Sequence, residues 1–185
     1  MLSIIESIHN KNIIHRNINP SSFLMGKGPK KDKVFISSFY LAKTYRDPKT
    51  NLHIPYKSGL NVKDINLYDS IHKHLGEEQS KRDDIEALGY ILVYFLKGNL
   101  PWNGIKAKTK EEKIGKILDI KKSISLDNLC QGCPEEFKVF IKYARDLKFE
   151  ERPDYAYLKR IFQNITKKNK FYFAYYKYDW IWKNM

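Results

Sequence analysis

Apolar residues at Leu2, Ile5 and Ile8, with His9 beside them, recur at helical spacing, so the chain opens in a helix that should end near Asn10-Lys11-Asn12. Ile13-Ile14 and Phe23-Leu24-Met25 are short apolar pieces on either side of a polar loop, residues 15–22. Gly26-Lys27-Gly28-Pro29 reads as a turn and Val34-Phe35-Ile36 as a short strand. From residue 40 to about 76 the pattern is polar and irregular, with Pro48 and Pro55, which predicts a long loop of the kind that carries function. Helices follow. Residues 80–97 open with Ser80 and Asp83-Asp84 and close at Gly98, a good N-cap and a glycine suited to the left-handed C-terminal position. The centre of that segment, 85–96, is apolar on nearly every face and is expected to be buried on all sides. Residues 110–120, 134–147 and 155–165 each carry one apolar stripe. The pattern predicts a mostly α fold, a helical bundle with a few short β-strands near its start. One domain is expected over 1–165, followed by a tail, 166–185.

Composition narrows the class. The 185 residues can bury one sizeable core but not comfortably two. Lysine and arginine total 34 against 21 acidic residues, a net charge of +13 that favours acidic partners without choosing among them. Two cysteines exclude a disulfide scaffold and suit a reducing compartment. No basic segment with a long apolar stretch stands at the N-terminus, so no signal peptide is expected. The most apolar run, residues 87–96, is ten residues long and too short to span a bilayer. A cytoplasmic protein with no membrane association is the expectation.

Several ordered motifs resemble the casein kinase 1 family of protein kinases. Residues 8–16, ending in His15-Arg16, resemble the run into that family's catalytic loop, and His53-Ile54-Pro55-Tyr56 its activation-segment signature. Residues 75–86 and Gly98-Asn99-Leu100-Pro101-Trp102-Asn103-Gly104 resemble two stretches of its large lobe. Arg152-Pro153-Asp154-Tyr155 is similar to a later helix entry, and Tyr178-Asp179-Trp180 to its aromatic tail. The resemblance implies a protein-kinase C-lobe. The small lobe, with its Gly-rich loop and strand lysine, has no counterpart in the sequence, so the N-lobe is expected to be absent.

The same resemblance implies that the chemistry is lost. Where the family has HRDxKPxN, this chain has His15-Arg16-Asn17-Ile18-Asn19-Pro20-Ser21-Ser22. Asn17 stands for the catalytic aspartate, and a carboxamide can orient a hydroxyl but cannot accept its proton. Asn19 replaces the lysine that offsets charge on the transferred phosphoryl group, and Ser22 the asparagine that holds a metal. The metal-binding DFG reads Ser38-Phe39-Tyr40, and a serine hydroxyl is a poor ligand for magnesium. Tyr40 takes the place of a glycine, so backbone strain is expected there. No cofactor and no metal are expected.

The retained positions imply structural roles. His15 and Phe39 are expected to pack in the core, with Arg16 and Arg152 kept as structural positions. Asp84 is expected to hold the backbone of the degenerate loop as a buried acceptor. On the substrate side, Ile65 and Leu67 stand for a threonine and an arginine of the family pattern TGTARY, leaving Lys113 as the candidate anion contact.

Cys130-Gln131-Gly132-Cys133 has no second ligand pair for zinc and reads as structural. Lysines cluster at 27, 30, 31 and 33, at 106, 108, 110 and 113, and at 167, 168 and 170. Residues 171–182 hold eight aromatics, which in the family pack back on the lobe and otherwise would form a docking strip. Together these features predict an inactive, casein kinase 1-like pseudokinase lobe. It would be a binding or structural component of a protein assembly, its partner another chain with an acidic surface, cytoskeletal assembly being one candidate. Apolar residues near Leu2, Ile5, Phe23, Met25 and Phe39 are expected to have less cover than in a complete kinase and to meet that partner. The competing readings are a fragment of an active serine/threonine kinase and a basic nucleic-acid-binding module, the latter disfavoured because no nucleic-acid module is present.

Overall fold

A computed structural model describes residues 1–61 and 64–168. It is mostly helical. In chain order the elements are α1 (Leu2–His9), β1 (Ile13–Ile14), β2 (Phe23–Met25), β3 (Val34–Ile36), β4 (Lys43–Thr44), α2 (Ile71–His74), α3 (Lys81–Lys97), α4 (Lys110–Ser123), α5 (Leu126–Leu129), α6 (Glu135–Asp146) and α7 (Tyr155–Lys168). The strands form two separate antiparallel pairs, β1 with β4 and β2 with β3. Val62, Lys63 and residues 169–185 lie outside the described residues, and with them the expected packing of the aromatic tail. The last helix runs to Lys168, past the boundary expected at 165.

Helix α3 is the centre of the molecule and packs against α1 and α6. Its ends follow from its caps. The Ser80 N–H donates to the Asp83 carboxylate at 2.7 Å, and Gly98 closes the helix at φ +74°, a left-handed turn that glycine enters without a Cβ clash. Its single interior glycine has a packing reason. A Cβ at Gly89 would stand 2.8 Å from Ile141 Cγ1, so the missing side chain is what lets α6 approach.

Burial along α3 runs opposite to its hydropathy. The charged first turns, Lys81, Arg82, Asp83, Asp84 and Glu86, are buried, whereas Phe95 and Leu96 in the last turn are 55% and 52% exposed. The expected all-round burial of 85–96 therefore holds only as far as Val93. Hydrogen bonds engage the inner carboxylates both from within the helix, Ser80 N to Asp83 and Tyr90 to Glu86, and from a distant segment, His15 N and Arg16 N to Asp84.

The irregular stretch 40–76 contains more order than its pattern predicts, namely β4 and α2. A one-turn helix such as α2 or α5 is too short to display a 3.6-residue period. Ile5 is fully buried between α1 and the core and Phe23 packs on the core, so of the residues expected to have reduced cover Met25 and Phe39 are the exposed ones. Cys130 is buried and Cys133 half-buried, both as free thiols against the core, and burial pushes both thiols up, Cys130 to about 11. Among the described residues no helix is long and apolar enough to cross a membrane.

Candidate functional site

The polar loop 15–22 is held from below by one carboxylate. Asp84 of α3 accepts from the backbone N–H of His15 at 2.7 Å and of Arg16 at 2.9 Å, and from His9 Nε2 at 2.9 Å. Burial alone would push this carboxyl up, but the His9 ring and the two backbone donors outweigh it and hold the group below its ordinary value. The other ring nitrogen of His9 bonds the Tyr155 hydroxyl, tying α1, α3 and α7 together at this point. Arg16 sits at φ +64°, a left-handed conformation costly for a side-chain-bearing residue, and the Asp84 bond fixes it there.

His15 is fully buried. Its Nε2–H donates to the Ser37 carbonyl at 2.8 Å, while Nδ1 accepts from Asn17 N at 3.3 Å, which sets the neutral tautomer. Its ring meets Phe39 edge-on at 5.0 Å. Phe39 is 44% exposed, so the expected core role belongs to His15 alone, with Phe39 as a half-open lid on it.

Asn17 is the junction of the site. Its Nδ2 donates to the Tyr40 hydroxyl at 3.0 Å, and its Oδ1 accepts from Asn19 Nδ2 at 3.1 Å and from Asn66 Nδ2 at 3.3 Å. Its carbonyl accepts from the buried Ser22 hydroxyl at 2.8 Å and from Asn19 Nδ2 at 3.0 Å. Asn19 Oδ1 in turn caps the short 3-10 turn Pro20–Ser22 through Ser22 N and takes the Ser21 hydroxyl. The loop is thus closed on itself by amides and hydroxyls.

Tyr40 carries no backbone strain. It lies in a right-handed 3-10 turn, Phe39–Leu41, and the left-handed residue is Ser38 at φ +67°. The strain expected at Tyr40 is therefore two residues earlier, at the N-cap of that turn. What Tyr40 supplies is its hydroxyl, the outer partner of Asn17. A tyrosine read only as a lost glycine does not reveal this.

The opposite wall, residues 65–69, is anchored by groups that local sequence does not mark. Asn66 gives its N–H and side-chain amide to the two oxygens of Asp69, and its Oδ1 accepts from Tyr68 N. Trp102 Nε1 donates to the Leu67 carbonyl at 2.7 Å. Lys73 pairs with the Asp69 carboxylate at 2.9 Å, both side chains buried, and also donates to the Arg16 carbonyl. The fully buried Lys121 of α4 donates to the Asp69 carbonyl and lies over the rings of Tyr90 and Trp102. Burial pushes its ammonium down to about 7, against the pull of Glu86 and Asp69.

Between these walls lies a cavity of about 750 Å³ that brings together Asn17, Asn19, Ser38, Ile65, Leu67 and Lys113. Ser22 is behind it, buried under Asn17. Lys113 stands exposed on the rim, and its ammonium has no partner among the described residues. Arg152 lies away from the cavity, exposed, with one bond of 3.4 Å to Asn10 Oδ1.

The donor set does not fit a magnesium nucleotide. The groups around Asn17 and Ser38 are carboxamides and hydroxyls largely committed to one another, and no carboxylate lines the cavity, whereas magnesium is held through carboxylates. Among the described residues no three His, Cys, Asp or Glu side chains are placed to hold a metal. No protein-family model matches the chain.

Proposed function

We propose that the chain is a casein kinase 1-like lobe without phosphoryl transfer, acting as a binding or structural component of a protein assembly. The observation that carries this reading is the state of Asn17. Both atoms of its amide are engaged, to Tyr40 on one side and to Asn19 and Asn66 on the other, at the position where the resemblance calls for a free carboxylate base. A base must reach the proton it takes, and it must be able to hold it; this amide does neither. Asp84 supports the same reading from the other direction. The scaffold that shapes the loop is complete although the chemistry it would present is gone.

The test is a paired one. Purified protein is given magnesium-ATP and casein or an acidic peptide, with label transfer and nucleotide binding measured together. Neither should rise above the buffer control. Label transfer that disappears in Asn17→Ala would overturn the reading.

A further inference from the structure

The β2–β3 hairpin turns an apolar pair to solvent. Phe23 pairs with Ile36 across the hairpin, and both pack on the core. Strand alternation then sends the next pair, Leu24 and Phe35, to the opposite face, where they are 51% and 41% exposed. This is a cross-strand pair rather than two scattered residues, so it forms one contiguous patch.

The backbone of the same hairpin is also unfinished. Bonds from Ser37 N to Ser22 O and from Gly26 N to Lys33 O flank the Leu24–Phe35 pair. The antiparallel alternation therefore points the N–H and C=O of Met25, Val34 and Ile36 away from the hairpin. Among the described residues nothing bonds those groups. The alternation also brings Lys33, opposite Gly26, onto the Leu24–Phe35 face, with Lys27 and Lys30 in the adjoining turn. None of these three lysines has an ion-pair partner among the described residues.

We infer that this hairpin docks an extended, acidic segment of another protein, added as a strand at its open edge. The inference rests on the reading of the chain as a binding component and names the surface and the chemistry of the partner. Main-chain groups of the incoming strand satisfy the open edge, its apolar side chains cover Leu24 and Phe35, and its carboxylates meet Lys27, Lys30 and Lys33. A second copy of this chain brings lysine against lysine at a net charge of +13. A nucleic acid or an anionic lipid answers the lysines but leaves the strand edge unpaired.

The probe is a fluorescent peptide with valines at alternate positions and, on that same face at the end beside the turn, glutamates in their place, compared with the same peptide carrying lysine for glutamate, with phosphatidylserine vesicles and with a single-stranded DNA oligonucleotide. The glutamate peptide should bind and slow amide exchange at Met25, or at Val34 and Ile36. Leu24→Lys and Phe35→Lys should each weaken it roughly tenfold, the loss of one buried apolar anchor. Leu96→Lys, an exposed apolar residue at the far end of α3, should not. Both hairpin side chains face solvent, and an unchanged melting temperature checks that each variant is folded. Binding indifferent to both hairpin substitutions overturns the inference. So does a preference for vesicles or DNA, or self-association that needs the hairpin. Label transfer measured on the same preparation separates the two readings. Activity would sink the binding-component reading, whereas an inactive protein that ignores the peptide would sink the docking surface alone.

Discussion

Asn17 and Asn66 are 49 positions apart, and their side chains are joined by a hydrogen bond of 3.3 Å from Asn66 Nδ2 to Asn17 Oδ1. The bond spans the mouth of the cavity and couples the polar loop to the wall built on Asp69. With Tyr40 on its other side, the Asn17 amide cross-links three segments of chain.

That arrangement predicts how Asn17 responds to substitution. Asn17→Leu removes every side-chain bond of the junction and should cost about 1–3 kcal/mol, because the Asn66 and Tyr40 groups lose a part-buried partner. Asn17→Asp keeps an acceptor for Asn19 and Asn66 and can accept from the Tyr40 hydroxyl, so its stability should be close to that of the parent. It should still transfer no phosphate. Urea unfolding of the two variants, beside a label-transfer assay of Asn17→Asp, checks both halves.

Asp84→Ala should be far more damaging. Three donors, His9 Nε2–H and the N–H groups of His15 and Arg16, would lose one buried acceptor at a stroke. A loss of about 3 kcal/mol or more is expected, together with a release of the left-handed Arg16. The measurements are the urea midpoint and the amide exchange of His15 and Arg16. Exchange there should accelerate well beyond the global change.

Gly89→Ala tests the contact of α3 with α6. Helix propensity alone favours alanine by about 1 kcal/mol. The new Cβ would lie 2.8 Å from Ile141 Cγ1 and 3.3 Å from Phe140 Cδ1, both in the core. The net effect should be a destabilisation of about 1–3 kcal/mol. In a double-mutant cycle, Ile141→Ala should recover part of that loss, whereas additive effects would place the strain elsewhere.

Two buried bases contribute to the pH dependence of stability in a direction that can be read out. Burial pushes His74 from 6.5 down to about 3, with the Lys121 charge acting the same way, and its Nδ1–H donates to the Ser70 carbonyl. Between those pH values the unfolded chain binds a proton that the folded chain refuses, so stability falls as pH drops through this window. His74→Gln should move the acid unfolding midpoint to lower pH. For Lys121 the window lies between about 7 and 10.5, and stability should rise with pH across it as the buried charge is relieved. Lys121→Met should flatten that rise by roughly 1 kcal/mol per pH unit, read from urea midpoints of the two proteins across the range.

By itself the sequence determined the elements whose signals are local. Ser80 and Gly98 bound α3, Pro134 precedes α6, Val34-Phe35-Ile36 is a short strand, and the absence of carboxylates at Asn17 and Ser38 needs no coordinates. Asp84 as a buried acceptor was legible too, through the resemblance of the residues around it. Tertiary structure alone decided which polar residues face inward. Lys73, Lys121 and Asp69 look like surface residues in the chain and are buried in the fold, because Lys73 reaches the Arg16 carbonyl and Lys121 the Asp69 carbonyl across the fold, and the Asp69 carboxylate closes on Lys73 four residues on. Which of Phe23 and Leu24 meets the core was likewise settled by register with Ile36 and Phe35. Hydrophobic periodicity reports on the side chain's own transfer from water, whereas a buried ion or amide is stable only through a group that folding brings to it from elsewhere in the chain.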